Sequence, residues 1–397
     1  MRRVLLVALF GGWPLLGGCL DFDALDADPA YCLRSVHAGW SHTCAGTRDD
    51  TVWCWGHNNA GQLGPSEAVA RPTPARVDGV EAVEELAVGD SFNCGVMQDG
   101  SVTCWGYNNH DQLGRPGDEV GAPGVVPQLS YVRHVAAGLE HACAIKGDDT
   151  VVCWGLNDHG QLGDGTHQTR AAPAPVIGPA DVIQLALGLA HSCALENNGT
   201  VWCWGRNAEG QLGDGTTTDR SSPSQPALID DVVQIDAGLD HSCAVKRDGS
   251  TWCWGLNNNG QLGDGSTTSR PQPVRALDLA DAVQVSAGGF STKGPVSHTC
   301  ARAGDGRLWC WGANVFGQLG DGSTTDRARP TPVRVIADAI DITAGATHSC
   351  AIRGSGGIWC WGANDSGQLG DGAFEPSLTP TASLLDCSSF TDADQGP

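Results

Sequence analysis

Positive charge is scarce in this chain. Its 23 Lys and Arg face 45 Asp and Glu, a formal net charge of −22 over 397 residues. Such a surface repels nucleic acid and anionic membranes at long range, which sets DNA, RNA and chromatin aside as partners. Long apolar runs are missing after residue 16, so no later segment is long enough to span a bilayer. No Cys-x-x-Cys pair occurs, and no nucleophile motif or phosphate loop stands out. Glycine, by contrast, is abundant at 55 residues, which suits many short strands and turns, and cysteine reaches 17.

The N-terminus reads as an export signal. Arg2 and Arg3 form a basic n-region, and residues 4–16 are an apolar run too short for a comfortable membrane span. The run ends in Leu16-Gly17-Gly18-Cys19, which resembles a bacterial lipobox. Residues 1–18 would then be removed and Cys19 acylated. The other reading is an ordinary secretory signal with an incidental cysteine. Either way the chain is exported and disulfides are permitted. Leu20 is no obvious inner-membrane retention signal, so the anchor is expected in the outer membrane or at the cell surface. Residues 19–31 are expected to form an acidic tether and residues 388–397 a flexible tail.

The stretch HSCAVKRDGSTWCWG, His241 to Gly255, holds two cysteines ten positions apart about an Asp-Gly turn signal. The pattern recurs seven times: Cys44 with Cys54, Cys94 with Cys104, Cys143 with Cys153, Cys193 with Cys203, Cys243 with Cys253, Cys300 with Cys310 and Cys350 with Cys360. Each second cysteine is followed by Trp-Gly. The period is 50 residues, once 49 and once 57. A fixed period of this size means a solenoid, a propeller or an array. With Arg247-Asp248-Gly249 as a three-residue loop, Cys243 falls opposite Cys253, where a disulfide can form. The same bridge is expected in every repeat. Each closes a short loop, worth roughly 2–3 kcal/mol by loop entropy. Acylation of Cys19 leaves 16 cysteines, the repeats take 14, and Cys32 and Cys387 remain. Aligning Ala38-Gly39 with Ala287-Gly288 puts Cys32 at the place of Asp281. Aligning Pro380 with Pro273 puts Cys387 at the place of Ala280. A Cys32–Cys387 disulfide would clasp a ring cut between those neighbouring positions.

Each period divides into four strands. In the fifth these are residues 232–237, 241–246 and 250–254, followed by a long turn and the Pro-rich segment 270–274, which suits an edge strand. Four strands in each of seven repeats fit an all-β, seven-bladed β-propeller over residues 32–387. The shared frame is Gly-x-x-His-x-x-Ala, Asp-Gly, Trp-Gly-x-Asn and Gly-Gln-Leu-Gly-Asp-Gly. It resembles the repeats of the regulator of chromosome condensation family. That resemblance implies a scaffold. The family's best known activity, nucleotide exchange on a nuclear GTPase, does not follow for an exported acidic chain. The paired cysteines are more similar to exported bacterial forms of the fold, at least one of which inhibits a secreted enzyme.

Six repeats carry a His two positions before the first cysteine: His42, His141, His191, His241, His298 and His348. Phe92 takes that place in the second. These rings are expected to bond backbone between strands. The Gly-Asp-Gly aspartates, Asp164, Asp214, Asp264, Asp321 and Asp371, lack the alternating acidic ligands of a calcium loop and are expected to cap their own turns. No metal site and no cofactor are expected.

Positions that vary from repeat to repeat are free to make a site. The pair between Gly and His reads Trp40-Ser41, Asp90-Ser91, Leu139-Glu140, Leu189-Ala190, Leu239-Asp240 and Ala346-Thr347, and residues 290–296 expand this turn in the sixth repeat. Trp40, Leu139, Leu189, Leu239 and Phe290 would form a broken apolar ring on one face, with Asp90, Glu140, Asp240 and Lys293 among them. Such a surface suits a protein partner in the envelope or outside the cell. Equally, these side chains could fold inward and plug the channel mouth. Glu140 and Asp240 could also serve as the carboxylates of a glycan-acting enzyme, although they lie two blades apart. A purely structural envelope role is the third reading. The balance favours a monomeric binding propeller that is not an enzyme and that meets the membrane only through its lipid.

Overall fold

The computed structural model describes residues 32–65, 69–290 and 296–385. The leader, Cys19, the tether, Lys293, Cys387 and the tail lie outside them. The described residues form 28 strands and no helix, arranged as seven antiparallel sheets of four consecutive strands each. The blades span residues 33–76, 83–125, 132–175, 182–224, 232–275, 282–332 and 339–382. No blade borrows a strand, so the junction of blades seven and one closes like the others.

Blade five shows why each repeat folds as it does. Its strands are Val232–Ala237, His241–Lys246, Thr251–Gly255 and Arg270–Arg275. Gly249 donates to the Lys246 carbonyl at 2.9 Å, and Asp248 accepts from the Ser250 amide at 2.9 Å, which closes the three-residue loop. Gly249 has φ +77°, and a Cβ there would lie 2.8 Å from the Cα of Asp281, so only glycine fits. The register pairs Val245 with Thr251, Ala244 with Trp252 and Cys243 with Cys253.

Every cysteine pair of the repeats faces its partner in this way, and each is joined by a disulfide. The bridges are Cys44–Cys54, Cys94–Cys104 and Cys143–Cys153 in blades one to three. Cys193–Cys203 and Cys243–Cys253 follow in blades four and five, and Cys300–Cys310 and Cys350–Cys360 in blades six and seven. The seven pairings therefore agree with those expected from the spacing. Cys32 is also disulfide-bonded. The outer strand of blade five is Pro-rich and half-exposed, which blunts the free edge.

The core lies between blades rather than within them. Seven clusters of buried side chains each join two neighbours, and in each the disulfide of one blade sits with the buried Trp of the next: Cys193–Cys203 with Trp254, and Cys350–Cys360 with Trp55 across the closing junction. A buried Trp removes 150–250 Å² from water, worth about 4–6 kcal/mol. Polar staples fix the angle of each junction. The Gln211 carbonyl accepts from Trp254 Nε1 at 2.8 Å and from Ser242 Oγ at 2.9 Å, both on the next blade. Gln368 does the same for Trp55 and Thr43 at the closing junction.

The repeated histidines complete the staples, and here the structure corrects the expected backbone bond. His191 Nε2 meets Ser242 Oγ of the next blade at 2.9 Å, His241 meets Thr299 at 2.9 Å, and His348 meets Thr43 at 2.8 Å. Each hydroxyl already donates to a Gln carbonyl, so it can only accept from the ring. Nε2 of each ring therefore carries a proton, and burial, which pushes the ring pKa far down, keeps the ring neutral. Blade two tests this logic. It carries Phe92 in place of His, and the partner position on blade three is Ala142 in place of Ser or Thr. Both residues are fully buried in one apolar cluster. Removing donor and acceptor together leaves nothing unsatisfied, whereas removing one would.

The Gly-Asp-Gly aspartates organise the loop between the third and fourth strands. Asp264 accepts from Ser266 N at 2.9 Å and from Arg270 Nε at 3.0 Å. Burial pushes its carboxyl up, but these bonds outweigh burial and hold it below the usual range. Asn257 spans the same loop, accepting from Leu262 N at 3.0 Å and donating to the Thr268 carbonyl at 3.1 Å.

The blade-two exception supplies a prediction. Ser242→Ala leaves the buried His191 N–H without an acceptor and should cost about 1–3 kcal/mol. Combining His191→Phe with Ser242→Ala copies the second junction. That double variant should recover most of the loss in urea unfolding of the oxidised protein.

Burial also makes the staples sensitive to acid. It pushes His42 down to about 4 and His141, His191, His241, His298 and His348 to about 3, all from 6.5. Below pH 6.5 the unfolded chain takes up protons that the folded rings refuse. Their stabilisation is therefore complete above about 6.5 and falls with pH, by up to about 1.4 kcal/mol per pH unit for each ring. Asp90 and Asp236, raised to about 7 and about 6, act in the opposite sense but are fewer. The melting temperature should drop between pH 7 and pH 4.5, and less steeply in the double variant.

Candidate functional site

The turn from first to second strand is a Gly-x-x-His loop closed by a bond from the Gly amide to the His carbonyl, 2.9 Å for Gly39 and His42. Seven such glycines meet around the propeller axis. A Cβ on Gly89 would lie 2.6 Å from the Gly138 carbonyl, and one on Gly138 would lie 2.7 Å from the Gly188 carbonyl. No side chain fits there. At five of the seven turns the residue after the Gly bonds across the junction, as Trp40 N does to Asp90 O at 3.3 Å and Leu189 N to Leu239 O at 3.1 Å. These turns draw one end of the channel into a tight backbone ring.

A central cavity of about 340 Å³ lies along the axis, lined by the inner strands of all seven blades and by Trp40, Asp90, Leu139, Leu189, Leu239 and Ala346. The sequence-predicted ring residues thus gather at one end of the channel. Trp40, Leu139 and Leu189 remain half-exposed. Leu239 and Asp240 do not: each is only 7% exposed, which corrects their expected place on an open surface. For Leu239 the reason is the sixth blade. Its first hairpin is lengthened, with strands Ala282–Phe290 and Val296–Ala303 pairing as far as Phe290 with Val296. Gly289 of that extension packs against Leu239. Part of the expected loop insertion is therefore strand. The Phe290 side chain and Lys293 are outside the described residues.

The acidic residues are engaged across junctions. Asp240 pairs with Arg206 and accepts from Gln211 Nε2 at 2.8 Å, both on blade four. Glu140 Oε2 lies 3.4 Å from His110 Nδ1 of blade two, without the alignment of a hydrogen bond. His159 bonds Asp219 of the next blade at 2.8 Å. Glu140 and Asp240 are thus held apart by separate partners. The carboxylates that do sense one another are Asp90 and Glu140, on adjacent blades. Asp90 is pushed up to about 7 by burial, with Glu140 adding to the rise and the Ser91 hydroxyl opposing it. Asp90 itself accepts from the Ser91 hydroxyl at 2.9 Å. No group of three His, Cys, Asp or Glu among the described residues could hold a metal ion.

Two features escaped the reading of the sequence. His110, His159 and Arg206 sit at variable positions of the Trp-Gly-x-Asn loop, which shares this face and varies between repeats as the turn pair does. The channel wall was also missed. Gln184 bonds both Ile235 N and Ile235 O at 3.0 Å, and Gln234 bonds Val285 N at 2.8 Å and Val285 O at 3.0 Å. Asp236 accepts from Ala287 N at 2.8 Å. Inner-strand side chains thus serve as the missing neighbour of the next blade's edge. A polar residue recurring at the third place of an otherwise apolar strand was the available signal.

With this geometry in place, known families can be compared. The RCC1-like domain pattern matches residues 22–293, and the regulator of chromosome condensation (RCC1) repeat matches residues 305–352 and 355–386. The chain belongs to the regulator of chromosome condensation repeat family. Human WBSCR16 superposes with a TM-score of 0.75 at 24% identity, covering 85% of this chain and 94% of that one. Prp20p from Saccharomyces cerevisiae, studied for its binding to Gsp1p and histones, gives 0.73 at 23%, covering 85% and 87%. The ectodomain of the Arabidopsis thaliana receptor kinase ACR4 gives 0.54 at 20%, covering 89% and 99%. These likenesses show the RCC1-like fold. Seven disulfides in the described residues suit an oxidising compartment.

The Asp90–Glu140 pair carries its own test. Carbon-detected NMR of labelled protein should show Asp90 titrating near pH 7, and Glu140→Gln should lower that midpoint.

Proposed function

We propose that the protein is an exported, lipid-anchored propeller that binds a protein partner through the face formed by its first-to-second-strand turns and Trp-Gly-x-Asn loops. One observation supports this most: the junctions repeat the same staples around the ring, while this face differs in every blade. Side chains that vary over a rigid frame are the usual place for recognition. Half-exposed Trp40, Leu139 and Leu189 supply apolar anchors, and Glu140 with Asp90 supplies charge beside them. Prp20p offers a precedent for protein binding by an RCC1-like propeller. The acidic balance of this chain points away from nucleic acid and toward a partner with basic groups. Acylated Cys19 would hold the propeller at the envelope, and a Cys32–Cys387 disulfide would clasp the ring where chain start and end meet.

One experiment addresses the reading. The full chain is expressed in its source cells, cross-linked, and recovered from membrane and soluble fractions. The parent should sit in the membrane fraction with a defined protein partner, and Cys19→Ser should leave that fraction. The rim variants Trp40→Ala and Glu140→Lys should keep the parent's melting temperature while weakening capture by about tenfold or more. Equal capture by the rim variants would refute binding through this face.

A further inference from the structure

We propose that the opposite face carries a second docking surface, an apolar crescent that seats a basic, apolar segment of another protein. The surface arises from a recurrent irregularity. In all seven inner strands the pairing skips one residue, between Leu33 and Ser35 in blade one, Val182 and Gln184 in blade four, and Ala282 and Gln284 in blade six. The skipped residue is a β-bulge, which leaves the ladder and re-aims its side chain. It sits at the start of the inner strand, at the end of the channel away from the rim.

The chemistry of these bulges divides the ring in two. Blades one to three carry Arg34, Glu84 and Arg133, and both arginines are engaged. Arg34 donates to the Val83 carbonyl at 2.9 Å, and Arg133 pairs with Asp149 at 2.7 Å. Blades four to seven carry Ile183, Val233, Val283 and Ile340, exposed by 43%, 38%, 45% and 49%. Four aliphatic side chains thus stand exposed at the same place on consecutive blades. Beside Val283 and Ile340 the hairpin tips are glycines, Gly304 and Gly354, with no side chain to cover them. The connectors leading into these strands add Leu228 and Val335, exposed by 82% and 68%. Their φ values are +61° and +72°, a region that Gly79 and Gly178 occupy at lower cost in other blades. Burial within the fold explains none of these choices.

Charge selects the occupant. Each apolar bulge follows an aspartate by two residues: Asp181, Asp231, Asp281 and Asp338. Asp231 pairs with Arg247 at 3.0 Å and Asp338 with Arg353 at 2.7 Å. Asp181 and Asp281 have no cationic partner among the described residues, and both are exposed. An arc of aliphatic groups edged by two carboxylates without a cationic partner, Asp181 and Asp281, complements a segment that alternates apolar residues with Lys or Arg. A second copy of this chain would set the same carboxylates against each other. An anionic lipid surface would repel them. This surface is independent of the rim proposed above.

The test uses the oxidised full chain, fluorescently labelled, on an array of short peptides whose leucine content and lysine-or-glutamate content vary independently. The parent should bind peptides rich in both leucine and lysine. Combining Val233→Ser with Val283→Ser should lose about tenfold or more of that signal, and the rim variant Trp40→Ala should keep it. Asp281→Lys, an exposed change, should shift preference from lysine toward glutamate. The proposal is overturned if the parent ignores leucine–lysine peptides, if lysine alone suffices, or if the serine variant binds like the parent. It also fails if the parent forms a dimer that the serine variant abolishes, or if its unacylated Cys19→Ser form floats with vesicles of phosphatidylethanolamine and phosphatidylglycerol.

Discussion

The backbone carbonyl of the glutamine in each Gly-Gln-Leu-Gly loop is the point on which the ring depends. It accepts the indole N–H of the next blade at every junction, from Trp55 on Gln368 to Trp361 on Gln318. At most junctions it also accepts a hydroxyl, and that hydroxyl receives the histidine N–H. A four-stranded blade has two apolar faces and cannot bury either alone. The indole supplies the area and the shared carbonyl supplies the direction. Because the same bonds link blade seven to blade one, the ring closes without a shared strand.

That arrangement explains where the repeat is strict and where it is free. Gly, His, Trp, Asn and Gln are tied to atoms on a neighbouring blade or across their own loop. The departure at Phe92 and Ala142 keeps the rule, since both partners change together and no buried polar atom is stranded. The two faces, by contrast, add contacts to the junctions that differ from blade to blade. Each blade can therefore present different chemistry there, and the chain does so on both sides: a rim of half-exposed apolar and charged groups, and an arc of bulged aliphatic residues edged by aspartates. The excess of negative charge discourages self-association.

Much of this was legible in the residues themselves. Blade number, strand order and hairpin register rest on contacts within about 15 residues, such as Cys243 with Cys253 about Gly249, and such contacts leave a periodic trace. The gathering of Trp40, Leu139 and Leu189 at one end of the channel followed from their shared place in the turn between first and second strands. What only the tertiary structure decided lies between blades. Asp240 was expected to be open, but it finds Arg206 on the preceding blade, and Leu239 lies under a hairpin from the following one. The histidine partners are some 51 residues away, as His191 is from Ser242. The bulges that turn Ile183 and Val283 outward look like ordinary strand positions until the pairing is seen. Local hydrogen bonds and turn chemistry are written along the chain. The closeness of two distant side chains depends on how seven wedges close a circle, and that angle is set by packing across every junction at once.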